Sequence, residues 1–244
     1  MKKIFLLFIM TCAMTICVQA KTLIVYYSYT NNVATITTEL NKQIKADVVC
    51  IQPAEKGLDY TANNYAIGSA LISAIRNAPN DADSYPAIDP VTVDWNEYDT
   101  IIIGAPLWWS NMAAPLQTFL FQNGDKMAGK NIGLIVSSAS SAINGVESDA
   151  KRLIPDGKFL SPSLWIRSSQ TPNAASLISD WLKRINYSEL SEIESVGMDN
   201  LSEILQIYNL AGNPVGNNPE ALSRGIYIVQ YYGADKVLAK KTRI

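Results

Sequence analysis

The 244-residue chain contains no histidine. That absence removes the Ser-His-Asp and Cys-His arrangements of nucleophilic catalysis, the His-based zinc sites and the commonest general base. Cysteine is scarce as well. Cys12, Cys17 and Cys50 are the whole complement, too few for a structural zinc cluster. Cys50 stands in the apolar run Val48-Val49-Cys50-Ile51 and reads as a buried structural thiol. Beyond residue 20 no apolar run is long enough to cross a bilayer. An excess of positive charge is also missing: 20 basic residues stand against 22 acidic ones, a net charge of -2. That balance argues against nucleic acid or an anionic membrane as partner. A Gly-x-Ser-x-Gly nucleophile elbow is absent too, which together with the missing histidine disfavours a hydrolase.

What is present begins with an export pattern over residues 1–20. Lys2-Lys3 form a charged start, residues 4–18 an apolar stretch, and Val18-Gln19-Ala20 a small-residue cleavage site. Cleavage is expected after Ala20, by the general secretion route, since there is no twin-arginine pair. It removes two lysines, leaving 18 basic against 22 acidic residues and a net charge of -4. The expected localisation is exported: periplasmic, cell-surface or secreted. The remaining chain of about 224 residues can hold one good-sized core and a small appendage.

Short apolar runs then alternate with helical patterns. Strands are expected at 22–27, 47–51, 100–103, 132–136 and 160–166. Between them, Val33, Ile36, Leu40 and Ile44 recur at helical spacing, and residues 61–75 read as helical. Pro115, Leu116, Phe119 and Leu120, then Val146, Ala150 and Leu153, mark two further helices, and Leu177, Ile178, Trp181, Leu182 and Ile185 a last one. Continuous apolar strands separated by helices indicate a parallel sheet covered on both faces. Five such units make a doubly wound α/β sheet, whose ligand site lies at the carboxyl ends of the strands. Residues 186–195 are polar and acidic and read as a linker. Residues 196–244 read as a small β-rich domain with strands at 204–208, 225–231 and 236–240.

Three loops fall at the same end of that sheet. The first, Ser28-Tyr29-Thr30-Asn31-Asn32-Val33-Ala34, joins a strand to a helix start. Free backbone N–H groups, the positive end of the helix dipole and short polar side chains make such a turn an anion site. It has no Lys or Arg, so a phosphate here is held by neutral donors, unlike a phosphoryl-transfer centre. An ordinary N-capped turn has the same composition. The second, Gly104-Ala105-Pro106-Leu107-Trp108-Trp109, sets two tryptophans at a strand mouth. One can enter the core while the other covers a flat ligand, or both can serve packing. The third, Ser137-Ser138-Ala139-Ser140-Ser141-Ala142, allows close backbone approach and offers donors to a heterocycle.

With these loops the chain resembles the flavodoxin family, in particular flavodoxin-like bacterial proteins with a Trp-Trp loop. Ser28, Thr30 and Asn32 match its Ser-x-Thr-Gly-Asn-Thr pattern. Gly104, Pro106, Trp108 and Trp109 match Gly-x-Pro-x-Trp-Trp, and Ser138, Ser140 and Ser141 match Thr-Ser-Gly-Ser-Ser-Gly. The resemblance covers residues 22–185. It implies a flavodoxin-like fold and non-covalent FMN, with the phosphate at Ser28, Thr30, Asn31, Asn32 and Val33. The ring would lie between Pro106, Leu107, Trp108 and Trp109 on one side and Ser137, Ser138, Ala139, Ser140 and Ala142 on the other. It also implies redox chemistry at the flavin, with a partner protein or a small acceptor such as a quinone. This sequence departs from the pattern at Asn31, which replaces a glycine, and at Val33, which replaces a threonine. Ala139, Ala142 and Asn144 replace glycines of the third loop. A flavodoxin scaffold without flavin, binding another ligand or a protein, is the alternative. The tail, through Ile207 to Val215, Leu222 to Val229 and Lys236 to Lys240, resembles the C-terminal sorting-type domains of secreted Bacteroidota proteins. That resemblance implies an address or a surface attachment through secretion machinery; a plain β appendage is the other reading.

Overall fold

The computed structural model describes residues 21–190, 204–223, 226–232 and 237–243. The export pattern, residues 191–203, Gly225 and Lys236 lie outside the described residues. The chain divides into two compact units, one spanning Ala20–Glu192 and one containing Ile193–Ile244.

The larger unit runs β1 (Lys21–Tyr26), α1 (Asn32–Ile44), β2 (Asp47–Cys50), α2 (Ala62–Asn77), β3 (Tyr98–Trp108), β4 (Asn111–Met112) and α3 (Ala114–Asn123). It continues with β5 (Asn131–Ser138), α4 (Asn144–Leu153), β6 (Lys158–Phe159), β7 (Leu164–Arg167), α5 (Ala174–Arg184) and α6 (Tyr187–Leu190). The parallel order is β2-β1-β3-β5, with β6 and β7 both on the outer side of β5. The strands read as unbroken apolar runs because both faces are covered. Leu23 and Val25, Ile101 and Ile103, and Leu134 and Val136 face a core shared with Ile72, Phe119 and Val146 of α2, α3 and α4. Ile24, Ile102 and Ile135, one residue out of phase, face Ile36 of α1 and Trp181 of α5. This is the doubly wound sheet. Its direction of winding reverses between β1 and β3, so the carboxyl ends of those two strands open a crevice.

Four details differ from the sequence expectation. The fifth strand, expected at 160–166, is two short strands. Between the pairs Ile132↔Phe159 and Ile135↔Leu164, the edge chain spends Leu160–Ser163 against only Gly133 and Leu134 of β5. Pro162 has no N–H for the ladder and sits in this bulge, at the sheet edge where a proline is tolerated. β3 extends to Trp108 instead of ending at residue 103, because it folds back on β4 as a hairpin. Cys50 is half-buried rather than buried, since β2 is the other edge strand, and its Sγ accepts a bond from Gln52 Nε2 at 3.0 Å. Within the expected linker, Tyr187 is 8% exposed and its hydroxyl lies 2.8 Å from Thr22 Oγ1.

The C-terminal unit holds an antiparallel sheet of β8 (Ile204–Tyr208), β9 (Pro214–Gly216), β10 (Ile226–Tyr232) and β11 (Val237–Arg243), in the order β11-β10-β8-β9. Ile207 and Val229 are its buried pair.

Candidate functional site

The first wall of the crevice is the β1–α1 turn. Asn31 has φ 65°, a left-handed conformation that asparagine tolerates better than other side-chain-bearing residues. The turn reverses tightly there, and Asn31 O accepts the first helical bond, from Thr35 N at 3.0 Å. Ser28 Oγ accepts from Ala34 N at 3.2 Å. The N–H groups of Asn32 and Val33 precede any intrahelical acceptor and stand at the positive end of α1, whose first turn carries no acidic residue. Asn32 ties the turn together: its Nδ2 donates to Thr30 Oγ1 at 3.2 Å, and its Oδ1 accepts from Thr171 Oγ1 at 3.3 Å. Val33 is 2% exposed, so its side chain packs beneath the turn while its backbone N–H remains available.

The second wall is the β3–β4 hairpin, with Leu107↔Met112 and Trp108↔Asn111 paired around the turn Trp109-Ser110. Both turn residues are left-handed, φ 46° and 63°. Two-residue hairpins need that geometry, but Asn-Gly supplies it without strain and Trp-Ser does not. The surroundings hold it instead. Arg76 at the end of α2 donates through Nη2 to Trp109 O, and through Nε to Asn111 Oδ1 at 2.8 Å. Asn111 Nδ2 and Met112 N both donate to Asp149 Oδ2 of α4, each at 2.9 Å. Asp149 is 7% exposed and also accepts from Arg152 Nη2 at 3.2 Å. Gly145 completes the clamp: a Cβ there would lie 1.8 Å from Ser110 O, so only glycine lets α4 approach. The hairpin sends its two rings different ways. Trp108 turns inward, 4.8 Å from the Tyr60 ring and 5.8 Å, edge-on, from Tyr27. Trp109 is 40% exposed and lies over Gly68 of α2, where a Cβ would come within 2.8 Å of Cζ3.

The third wall follows β5. Ser137 and Ser138 are buried. Ser138 Oγ accepts from Trp165 Nε1 and donates to Ser141 O, both at 2.8 Å, which curls the loop back on itself. Together the walls enclose a cleft of about 360 Å³. Ser28, Thr30, Asn32, Val33, Pro106, Leu107, Trp108, Trp109, Ser137, Ser138 and Ala139 line it. Asn31 shapes the first turn without lining the cleft, and Ser140 and Ala142 are exposed beyond it. They fall outside because the Ser138 hydroxyl turns the chain away one residue past Ala139.

A fourth wall was not anticipated. Tyr60, Thr61, Tyr65 and Gly68, from the β2–α2 connection and α2, line the cleft with Tyr29 and Ser168. The segment Asp59-Tyr60-Thr61 carries a signal: an aspartate can accept a bond from the backbone two residues on, an Asx turn that fixes the chain ahead of a helix. Asp59 Oδ1 accepts from Thr61 N at 2.9 Å, Thr61 Oγ1 at 2.6 Å and Tyr29 OH at 3.0 Å. Those bonds, the Thr61 hydroxyl's first, hold its carboxyl below the usual range. Asn63, Asn64 and Tyr65 are left-handed, so α2 begins with a kink that sets the Tyr65 ring at the rim.

The site's electrostatics are those of buried phenols. Burial, then the neighbouring tyrosines, pushes the Tyr27 phenol well above its ordinary value. Burial raises Tyr60 as well, and raises Tyr26 to about 12 with a further push from Cys50. The Tyr60 hydroxyl is enclosed without a hydrogen-bond partner of good geometry, although the Tyr27 phenol is near enough to act on it. Among the described residues no group of three His, Cys, Asp or Glu side chains could hold a metal ion, and no helix is long and apolar enough to cross a membrane.

A doubly wound sheet with a turn of free backbone N–H groups and an aromatic hairpin at its switch point defines the class. The chain belongs to the flavodoxin family, whose model, described as Flavodoxin, matches residues 21–185. Among solved structures it is similar to a candidate flavoprotein from Bacteroides eggerthii DSM 20697, with 25% identity over 68% of this chain and 98% of that one, and a TM-score of 0.55. A second candidate flavoprotein, from Bacteroides uniformis ATCC 8492, has 27% identity over 66% of this chain and 98% of that one, with a TM-score of 0.50. The flavoprotein of Lactobacillus acidophilus NCFM, solved in complex with FMN, shares the fold at 23% identity, over 64% of this chain and 99% of that one, with a TM-score of 0.50. No curated protein matches the chain.

Proposed function

We propose that this protein binds FMN non-covalently and works in electron transfer or in the reduction of a small acceptor such as a quinone. The observation that carries this reading is the convergence of the three loops on one cleft at the β1–β3 switch point. The cleft's volume, about 360 Å³, falls in the range of cofactor sites. Its donor set suits the group. The N–H groups of Asn32 and Val33, with Thr30 and Ser28, offer neutral donors to a phosphate, and the Trp108–Trp109 hairpin with Ser137 to Ala139 forms a slot for a flat ring. When bound, FMN supplies the electron-transfer chemistry through its ring. The protein's own part is to hold and orient it, stack against it and keep water from it. No side chain has to act as acid or base, in keeping with a chain that lacks histidine.

The test is the visible absorption spectrum of the purified chain, before and after incubation with FMN and desalting. A retained flavin spectrum, lost in Trp108→Ala and Thr30→Ala, supports the reading. A folded protein that retains no flavin refutes it and leaves a flavodoxin scaffold used for binding.

Export and an addressing role for the tail belong to the same proposal. Support comes from the Lys2-to-Ala20 pattern and from the division of the chain that sets residues 193–244 apart from the unit spanning Ala20–Glu192. Fractionation of expressing cells, with and without residues 196–244, tests both: a full-length chain retained in the cytoplasm refutes export.

A further inference from the structure

We propose that Tyr65 and the outer face of Trp109 form a subsite for an uncharged planar acceptor of the quinone class, at the rim of the cleft. The inference rests on the FMN reading and names the acceptor that site would serve.

Three observations carry it. The first is exposure: Tyr65 is 51% and Trp109 40% exposed, and their rings meet edge-to-face at 6.4 Å. Most large apolar rings of this unit are packed away, and these two instead present faces at a cleft mouth. The second is backbone conformation. Tyr65 and Trp109 have φ 63° and 46°, a left-handed state that is unfavourable for bulky side chains and clusters at ligand clamps. Arg76 and the close contact at Gly68 hold Trp109 in that state, so the rim is imposed by the fold. The third is charge. Among the described residues lining the cleft there is no Asp, Glu, Lys or Arg. Two ionised groups that touch the lining are engaged, Asp59 with Thr61 and Tyr29 and Arg76 with the hairpin, and a third, Glu55, is near enough to act on Tyr60. A protein partner steered by charge needs complementary charges around the mouth, and a charged small acceptor needs a counter-ion or a set of backbone donors such as the β1–α1 turn offers the phosphate. An uncharged flat ring needs neither and gains from stacking, by about 2- to 10-fold in affinity per ring.

The experiment uses the full chain loaded with FMN, and menadione as the probe. FMN affinity is measured first, by flavin fluorescence, for wild type, Tyr65→Ala and Tyr65→Phe. Menadione affinity is then measured on the oxidised, FMN-loaded proteins by tryptophan emission, at low and high salt. The expected result is that Tyr65→Ala changes FMN affinity by less than it changes menadione affinity. Menadione should bind Tyr65→Ala about 2- to 10-fold more weakly than wild type, with Tyr65→Phe restored and little salt dependence. Equal menadione affinity in wild type and Tyr65→Ala overturns the subsite. So does a parallel loss of FMN affinity in Tyr65→Ala, which would put Tyr65 on the flavin. So does wild type that binds FMN but not menadione. Wild type that binds no FMN overturns the functional reading itself, and the subsite with it.

Discussion

Replacing Asp149 by alanine isolates what holds the aromatic hairpin. The carboxylate is nearly buried and takes three bonds: from Met112 N and Asn111 Nδ2 at 2.9 Å, and from Arg152 Nη2 at 3.2 Å. Without it, a buried backbone N–H and a half-buried amide lose their acceptor. Each such orphan costs about 1–3 kcal/mol. The Arg152 guanidinium keeps Gln117 and Tyr85 as partners and is 31% exposed, so its share is smaller. The sum is about 2–6 kcal/mol, against total stabilities of about 5–15 kcal/mol for ordinary domains. The hairpin has only two paired positions and a strained turn, so part of this loss is expected as local opening rather than global unfolding. The assay therefore has two parts. Urea unfolding reads the global loss, and near-UV circular dichroism with FMN titration reads the hairpin. Asp149→Ala should lower stability, flatten the signal of the Trp108–Trp109 pair and weaken FMN about ten-fold or more. Asp149→Asn, which keeps an acceptor for Met112 N, should lie between. A loss under about 1 kcal/mol, with the tryptophan signal and FMN affinity unchanged, would refute the clamp.

Other substitutions probe separate links. Gly68→Ala should change stability by no more than about 1 kcal/mol, since helix propensity favours alanine, yet it pushes the Trp109 ring aside. A shifted tryptophan emission with weaker FMN binding is the expected pair of signs. Asn31→Gly should be neutral or stabilising by up to about 1 kcal/mol, and Asn31→Ala destabilising by a similar amount, because only the left-handed φ distinguishes them. Equal melting temperatures for the two would sink that reading. Thr22→Val should cost about 1–2 kcal/mol by orphaning the Tyr187 hydroxyl, measured by thermal unfolding. The buried and half-buried phenols set an alkaline limit. Tyr26, Tyr27, Tyr60 and Tyr187 are all raised above their unfolded value, so the folded state binds their protons more tightly. Their contribution is intact below about pH 10 and declines from there, through about pH 12 for Tyr26. Urea midpoints that hold constant from pH 9 to 12 would contradict it.

Much of the site was legible in the sequence because its parts are local. A strand that must be apolar on both faces, followed by Ser28-Tyr29-Thr30-Asn31-Asn32, announces a buried strand and an anion-binding turn within a dozen residues. Trp108-Trp109 beside Pro106 could be read in the same way. The fourth wall could not. Tyr60 and Tyr65 sit in a segment whose helical periodicity hid the left-handed kink at Asn63-Asn64-Tyr65. Ser140 and Ala142 were expected in the slot because composition gives no warning that the Ser138 hydroxyl closes on Ser141 O. Arg76 and Asp149 looked like ordinary helix charges until the fold set them 73 positions apart in sequence on one hairpin.

The sequence by itself determined the order of the elements, the parallel doubly wound sheet, the chemistry of the loops at its carboxyl ends and the exclusion of histidine-based catalysis. These follow from periodicity, turn chemistry and composition, which act over a few neighbouring residues. Tertiary structure alone decided which loop residues meet in the cleft, that Trp108 turns inward while Trp109 covers Gly68, and that buried charge holds a strained hairpin in place. Those outcomes depend on contacts between residues far apart in the chain, where packing and hydrogen bonding override local preference.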